Sequence, residues 1–250
     1  MTSRVSLLAL SVGAYFAFAL ASFPASIAHR WFGSELTMAG IDGSVWQGSA
    51  AYVGFNGLAL SDFRWQLHPA ALLTGRLSLS AEARVADALA RTELTYRGGN
   101  VVLSGLRMSA DLANFRQMLA ADQIGGSVNV TLERLELIDG WPVSASGVLR
   151  LTELSWPPLI PVPGVPTIPL GNFLAQFTVD DEPGIVAFVN DEGGPLELEG
   201  RIDLTPDRTY HLKATIKPRA DASNALVQGL MVMNPADANG YHTIEFSQQL

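Results

Sequence analysis

The chain opens on an unbroken apolar run, Val5 to Ala28, which is 24 residues without a charge. As a helix rising about 1.5 Å per residue it reaches ~36 Å, enough for the ~30 Å hydrocarbon core of a bilayer. Val5, Leu7, Leu8, Leu10, Val12, Phe16, Phe18, Leu20 and Phe23 supply its bulk. Arg4 and the amino terminus precede the run and no acid does, which leaves Met1 in the cytoplasm and exports the rest. Pro24 and then Trp31-Phe32 read as a helix stop followed by interfacial aromatics. The alternative is a cleaved signal, since Ala19-Leu20-Ala21 has the small-x-small form of a cleavage site. A very short n-region and a long apolar run favour a retained anchor. Residues 1–28 are therefore read as cytoplasmic stub and transmembrane anchor, and 29–250 as one exported β-rich domain.

Beyond the anchor the pattern changes to period two, the signature of strands with one face dry and one wet. Arg76 to Val85 alternates without error, with Leu77, Leu79, Ala81, Ala83 and Val85 on one side. Leu36 to Phe55, Leu58 to Leu67, Ala88 to Arg97 and Val101 to Ala110 read as further strands. The parity of Leu58 to Leu67 changes near Ser61-Asp62, which predicts a bulge. Pro69 to Thr74 is a turn or helical turn, and Gly98-Gly99 and Asp139-Gly140 are hairpin signals. Ser127 to Ile138 changes parity at Glu133-Arg134, a second predicted bulge, and Val143 to Leu154 returns beside it. Gly184 to Asn190 and Tyr241 to Phe246 complete the set.

The best-defined pair is Leu196 to Leu204 with Thr209 to Lys217. Matching their apolar faces predicts a hairpin in which Leu204 opposes Tyr210, Asp203 opposes His211 and Glu197 opposes Lys217. The same register sets Arg201 against Lys213, a like-charge pair. Two segments have helical spacing instead. Asp111 caps one that runs through Ala121, ended by Gly125-Gly126. Asp221 to Met233 is the other, with Ala222, Ala225, Leu226, Gly229, Leu230 and Met233 as its apolar stripe.

The fold class is thus all-β and mainly antiparallel: an N-terminal transmembrane helix, then a long meander of about a dozen strands with two short helices. Two short helices cannot cover so wide an apolar face, so the sheet is expected to curl into a groove or a flattened barrel. Gly75-Arg-Leu-Ser-Leu, Gly147-Val-Leu-Arg-Leu and Gly200-Arg-Ile-Asp-Leu repeat one grammar, a glycine at a bend and then alternation. Residues 156–169 hold six prolines and no charge. Proline lacks the amide donor, so this stretch is read as a rigid loop packed across the domain and not as a central strand, with a partner-docking segment or a linker between subdomains as the alternatives.

Composition narrows the chemistry. The net charge is −8, only two of 16 basic residues are lysines, and the basic residues form no cluster, which argues against nucleic acid as a partner. With no cysteine, thiol catalysis, disulfides and Cys-ligated metals are out. The four histidines (29, 68, 211, 242) have no metal-ligand spacing. In Tyr210-His211 and Tyr241-His242 the tyrosine is expected to pack and the histidine to face water. Asp180-Asp181-Glu182 and Asp191-Glu192 lack the order of a calcium loop. Ser144 and Ser146 lack a nucleophile elbow. No catalytic residue, cofactor or metal is assigned, and the chain is read as a non-enzyme. Trp46, Tyr52 and Trp65 read as core side chains or, if exposed, as a protein-contact patch, and with Trp156 they are the candidate partner-contact residues.

An anchor, then Gly43-x-x-Trp46-x-Gly48-x-Ala50, then Leu72-x-x-Gly75-x-Leu77, resembles the type II secretion system protein N family. Gly200 to Leu204, Pro206-Asp207, Tyr210, Leu226-x-x-x-Leu230 and Gly240-Tyr241 extend the likeness. The resemblance implies a single-pass inner-membrane protein of Gram-negative bacteria, mostly periplasmic, that supports export of folded proteins through an outer-membrane secretin. It implies other secretion subunits, secretin or inner-membrane platform, as partners, and it supplies no catalytic residue. The strand grammar is also similar to AsmA-like β-groove proteins. That makes a lipid-binding or lipid-transport groove the alternative function, with lipid as its occupant.

Overall fold

The computed structural model describes residues 24–28, 36–55, 58–85, 88–116, 123–158, 167–179 and 184–249. The expected anchor, Val5 to Phe23, lies outside them, as does the middle of the proline-rich stretch. Among the described residues no helix is long and apolar enough to cross a membrane. Thirteen antiparallel strands are present among them, and the chain divides into two compact units at Val85.

In the first unit a one-turn helix α1 (Ala25–Ala28) precedes β1 (Leu36–Gly43), β2 (Gln47–Phe55) and β3 (Leu58–Leu67). A second one-turn helix, α2 (Pro69–Leu72), leads into β4 (Leu77–Val85), and each strand pairs antiparallel with the next. The parity change at Ser61-Asp62 is a bulge. Pairing with β4 slips between Ser61 and Arg64, and Asp62 takes a φ of 50°. β4 departs from its clean alternation, because Ser78 and Ser80 are covered as well as Leu77. The His68 ring lies over them, 3.5 Å from Ser78 Oγ and 3.2 Å from Ser80 Oγ.

The second unit holds nine strands in chain order. They are β5 (Ala88–Arg97), β6 (Asn100–Asp111), β7 (Gly125–Ile138), β8 (Trp141–Trp156), β9 (Ile168–Thr178), β10 (Ile185–Asp191), β11 (Leu196–Leu204), β12 (Thr209–Pro218) and β13 (His242–Gln249). Each is antiparallel to its neighbours. The β11–β12 register pairs Leu204 with Tyr210, Asp203 with His211 and Glu197 with Lys217, as the apolar faces predict. Arg201 does stand opposite Lys213, and neighbours disperse the repulsion. Arg201 pairs with Asp203 at 2.7 Å and lies over the Phe188 ring, while Lys213 pairs with Glu245 at 2.6 Å. Such exposed pairs add little stability, but they remove a reason for the register to slip.

Both glycine hairpins form, with positive φ at Gly98, Gly99, Asp139 and Gly140. The second predicted bulge is present too, between Leu132 and Arg134. Opposite it stands Gly147, with φ of 134°, where a Cβ would strike the Thr131 carbonyl and Leu132. Gly200 breaks the supposed grammar, since it lies inside β11 opposite Ala214 and marks no bend. The helix expected after Asp111 begins as a 3-10 turn (Leu112–Phe115). The Asp111 carboxylate caps it, accepting from the Ala113 amide at 2.8 Å. Residues 117–122 lie outside the described part.

Two further readings need correction. The proline-rich stretch does enter a central strand, for Trp156 ends β8 and Ile168-Pro169 begins β9, pairing Trp156 with Ile168 and Ser155 with Pro169. Proline is tolerated there because it falls near the strand's start, beside register shifts on both sides of Leu154. In Tyr241-His242 the histidine does not face water, while Tyr241 is half-buried. His242 is 2% exposed, opens β13 opposite Ile216 and points inward.

The nine-stranded sheet curls. β9 stops at Thr178, so the Gly184 amide donates directly to the Val143 carbonyl of β8 at 3.1 Å. The Trp141 indole N–H then reaches the Thr205 carbonyl at the end of β11, also at 3.1 Å. In a flat sheet β8 and β11 would stand about 14 Å apart. Among the described residues β5 and β13 do not pair, so this unit is an open trough and not the flattened barrel. Its apolar face carries two clusters, one around Leu112, Ile124 and Val128, the other around Phe173, Leu196 and Ile216. Leu151 and Leu154 touch both clusters.

Candidate functional site

The trough is roofed at one end by α3 (Asn224–Met233), the helix that the apolar stripe predicts. Ser223 caps it, its hydroxyl accepting from the Leu226 amide at 3.3 Å. Leu226, Gly229 and Leu230 are buried against the sheet.

Polar contacts hold both ends of this helix. At the entrance, Arg219 Nη1 donates to the carbonyls of Gly194 and Leu196, each at 2.8 Å, and Nη2 to Asp191 Oδ2 at 2.7 Å. Asp191 in turn accepts from the Leu198 amide at 2.9 Å and the Gly193 amide at 3.3 Å. Burial pushes the Asp191 carboxyl up, but those amides and the Arg219 guanidinium outweigh it and hold it below the usual carboxylate range. At the exit, the Asn234 side-chain amide donates to the Thr243 carbonyl at 2.6 Å. The His242 ring donates from Nδ1 to the Asn234 carbonyl at 2.5 Å, which fixes its tautomer.

Between those ends lies a partly open cavity of about 390 Å³. β8 contributes Leu151, Leu154 and Trp156 to its wall, followed by Pro157; β9 contributes Ile168, Leu170 and Phe173. Val189, Leu196, Leu198, Ile216 and Ile244 form the floor, and Ala225, Leu226, Gly229, Leu230 and Met233 face them from α3. Among the described residues, no lining side chain carries a carboxylate, amine or hydroxyl. An apolar cavity of this kind offers nothing to a proton, a metal or a nucleophile, and it can hold hydrocarbon.

Perturbed titrations elsewhere belong to turns and ion pairs. The Arg150 guanidinium, at 2.6 Å, holds Glu192 low. The Thr205 hydroxyl does the same for Asp207 at its turn, and the Tyr241 amide for Asp237. The Tyr241 hydroxyl donates to Glu197 Oε1 at 2.9 Å, which raises its pKa. Among the described residues no three histidine or acidic side chains converge to hold a metal. Of the acidic turns considered for calcium, 180–182 lie outside the described residues, and Asp191 and Glu192 are engaged by arginines.

The candidate partner-contact residues fall in both units. Trp156 is half-buried in the cavity wall. In the first unit Tyr52 is 43% exposed, while Trp46 and Trp65 are half-buried. Trp65 stacks on Phe63 and its indole N–H donates to the Val45 carbonyl at 3.0 Å. Its ring rests on Gly48, where any Cβ would collide with it. That contact explains why Gly-x-Ala follows the tryptophan in the motif, since Ala50 beside it is 1% exposed.

A family model described as type II secretion system (T2SS), protein N, matches residues 34–245. The chain belongs to the type II secretion system protein N family. A relative of that name from Vibrio cholerae is 29% identical over 234 residues, covering 87% of this chain and 84% of the relative. Another, from Aeromonas hydrophila, is 22% identical, with both chains covered in full. No solved structure matches. The family match runs from the residues before β1 into β13, so both units and the α3 cavity fall within it.

Proposed function

We propose that this protein is a non-enzymatic accessory component of a type II secretion system in the inner membrane of a Gram-negative cell. Val5 to Phe23 anchors it, and residues 29–250 work in the periplasm by contact with other subunits, the secretin or the inner-membrane platform. The carrying observation is the family match over residues 34–245, which takes in β1 to β12 and the first residues of β13. Contact through a strand edge fits the topology. β13 ends the sheet order of its unit, its last five described residues are exposed, and Phe246 among them is 48% exposed. Such an edge can add a partner strand.

The test is deletion of the gene in its own host, with secreted protein assayed in the medium and the periplasm, beside affinity capture of the anchored chain from membranes. Loss of secretion together with co-capture of secretion subunits is the expected result. Normal secretion without co-capture overturns the reading. Photo-crosslinking from position 246 then asks whether β13 is the contact. A second reading, a lipid-binding groove, is favoured by one observation, the unfilled cavity under α3.

A further inference from the structure

We propose that the cavity beneath α3 takes one acyl chain of a membrane phospholipid, admitted at the Met233 end of the helix. Protein interiors keep few voids larger than a water molecule, because every unfilled volume forfeits dispersion contacts. Here about 390 Å³ stands open, walled by leucine, isoleucine and aromatic side chains. Two positions facing it from the helix are Ala225 and Gly229, where larger apolar residues would take up part of the volume.

The lining selects the occupant. Water or an ion would find no polar lining side chain beyond the Trp156 indole, too few partners to hold it, and an apolar cavity of this type stays dry. A peptide strand would bring amides and carbonyls that need hydrogen bonds, whereas β9 to β12 are paired on both sides. One inserted side chain is too small, since a cavity of about 150 Å³ already accepts a benzene ring. A flexible hydrocarbon chain satisfies the volume and the chemistry together, and its polar head group stays outside.

The entrance is marked independently. Among the lining residues Met233 is 52% exposed, and Met231 and Val232 beside it are 59% and 68% exposed. Three consecutive apolar side chains therefore stand at the surface at the end of α3 where Met233 joins the cavity lining. Met233 is unbranched and adaptable, suited to moving aside as a chain passes.

The experiment reconstitutes the full chain into vesicles of phosphatidylethanolamine and phosphatidylglycerol. These carry a phosphatidylethanolamine with a diazirine on one acyl chain, or, in a second arm, free diazirine-palmitate. Irradiation, proteolysis and mass spectrometry locate the label. In the phospholipid arm label is expected on the α3 peptide and on the β8 and β9 segments facing it. Ala225→Phe and Gly229→Leu should cut that label about tenfold or more, the loss expected when roughly two methylenes are shut out of an apolar site. Phe188→Ser, at an exposed position next along β10 from the lining residue Val189, should leave it unchanged. Thermal unfolding of each variant separates a filled cavity, with its midpoint kept or raised, from a misfolded one. The wild-type label map stands as evidence even if a variant fails to fold. Label confined to the free-acid arm, label absent from α3, or equal labelling of well-folded filled variants overturns the proposal. So does a protein partner crosslinked at Met233 in place of lipid.

Discussion

Asp191→Ala is the sharpest probe of what holds α3 over the trough. The carboxylate sits at the end of β10, 13% exposed, and ties three segments: the Leu198 amide on β11, the Gly193 amide in the intervening turn, and Arg219 before the helix. Removing it leaves the Leu198 amide, half-buried, without its acceptor at 2.9 Å. An orphaned donor of that kind costs about 1–3 kcal/mol. The Gly193 bond is long at 3.3 Å and adds little. The Arg219 contact is open to water and is left out of the sum. The expected loss is therefore about 2 kcal/mol, or roughly 4–8 °C in unfolding midpoint for a unit of this size.

The pH dependence follows from the same contacts. Asp191 has a folded pKa below its ordinary value of 3.8, so its contribution is complete above the unfolded value and is lost as pH falls through the folded one. The gap between wild type and Asp191→Asn should hold at neutral pH and close as acid protonates the wild-type carboxyl. Thermal or urea unfolding of the full chain at neutral and acid pH reads both effects. An Asp191→Ala/Arg219→Ala double-mutant cycle adds the coupling. A gap that ignores pH refutes the reasoning.

His242→Ala removes the donor to the Asn234 carbonyl and empties a buried site. It should cost about 3 kcal/mol and speed amide exchange at residues 230–234 far more than in β7 and β8, as read by hydrogen exchange. Gly48→Ala drives a methyl group into the Trp65 indole. About 1–3 kcal/mol of destabilisation is expected, with a shift in tryptophan emission; an unchanged spectrum and midpoint would mean the ring does not rest there. Tyr241 should ionise at higher pH than a free tyrosine because its hydrogen bond to Glu197 favours the neutral phenol. The stability it lends is present below the ordinary tyrosine pKa and fades as pH rises through the raised one. Ultraviolet titration of Glu197→Gln should bring that phenol back toward 10.0.

Strands, turns and register were legible because each rests on local chemistry. Alternation gave β4 and the β11–β12 pairing, and glycine or aspartate in left-handed backbone gave the hairpins at Gly98-Gly99 and Asp139-Gly140. Two breaks in parity became two bulges. What failed was also local in cause. β9 is hidden because Pro169 stands near its start, and its cavity-lining residues change parity between Leu170 and Phe173, across Gly171 with φ of 107°. His242 was misread because a polar side chain alternating beside tyrosine looks wet. Only the end of a helix eight positions away supplies the carbonyl that lets it be buried.

The cavity was illegible for a different reason. The stripe Ala222, Ala225, Leu226, Gly229, Leu230 and Met233 says which side of α3 faces the sheet, and the structure agrees. A stripe does not say how far from the sheet the helix stands. Its placement is set at the two ends, by Arg219 clasping Asp191 and two carbonyls, and by Asn234 held between His242 and Thr243. Polar contacts hold both ends there, while small residues at 225 and 229 leave part of the span between them open. Leu226 and Leu230 do reach the floor, where they share one cluster with Phe173, Leu196 and Ile216, while Ala225 and Gly229 are too short to fill the space beside them. The polar clasps thus fix where the helix lies along the sheet, and the small residues along it decide how much apolar volume stays open.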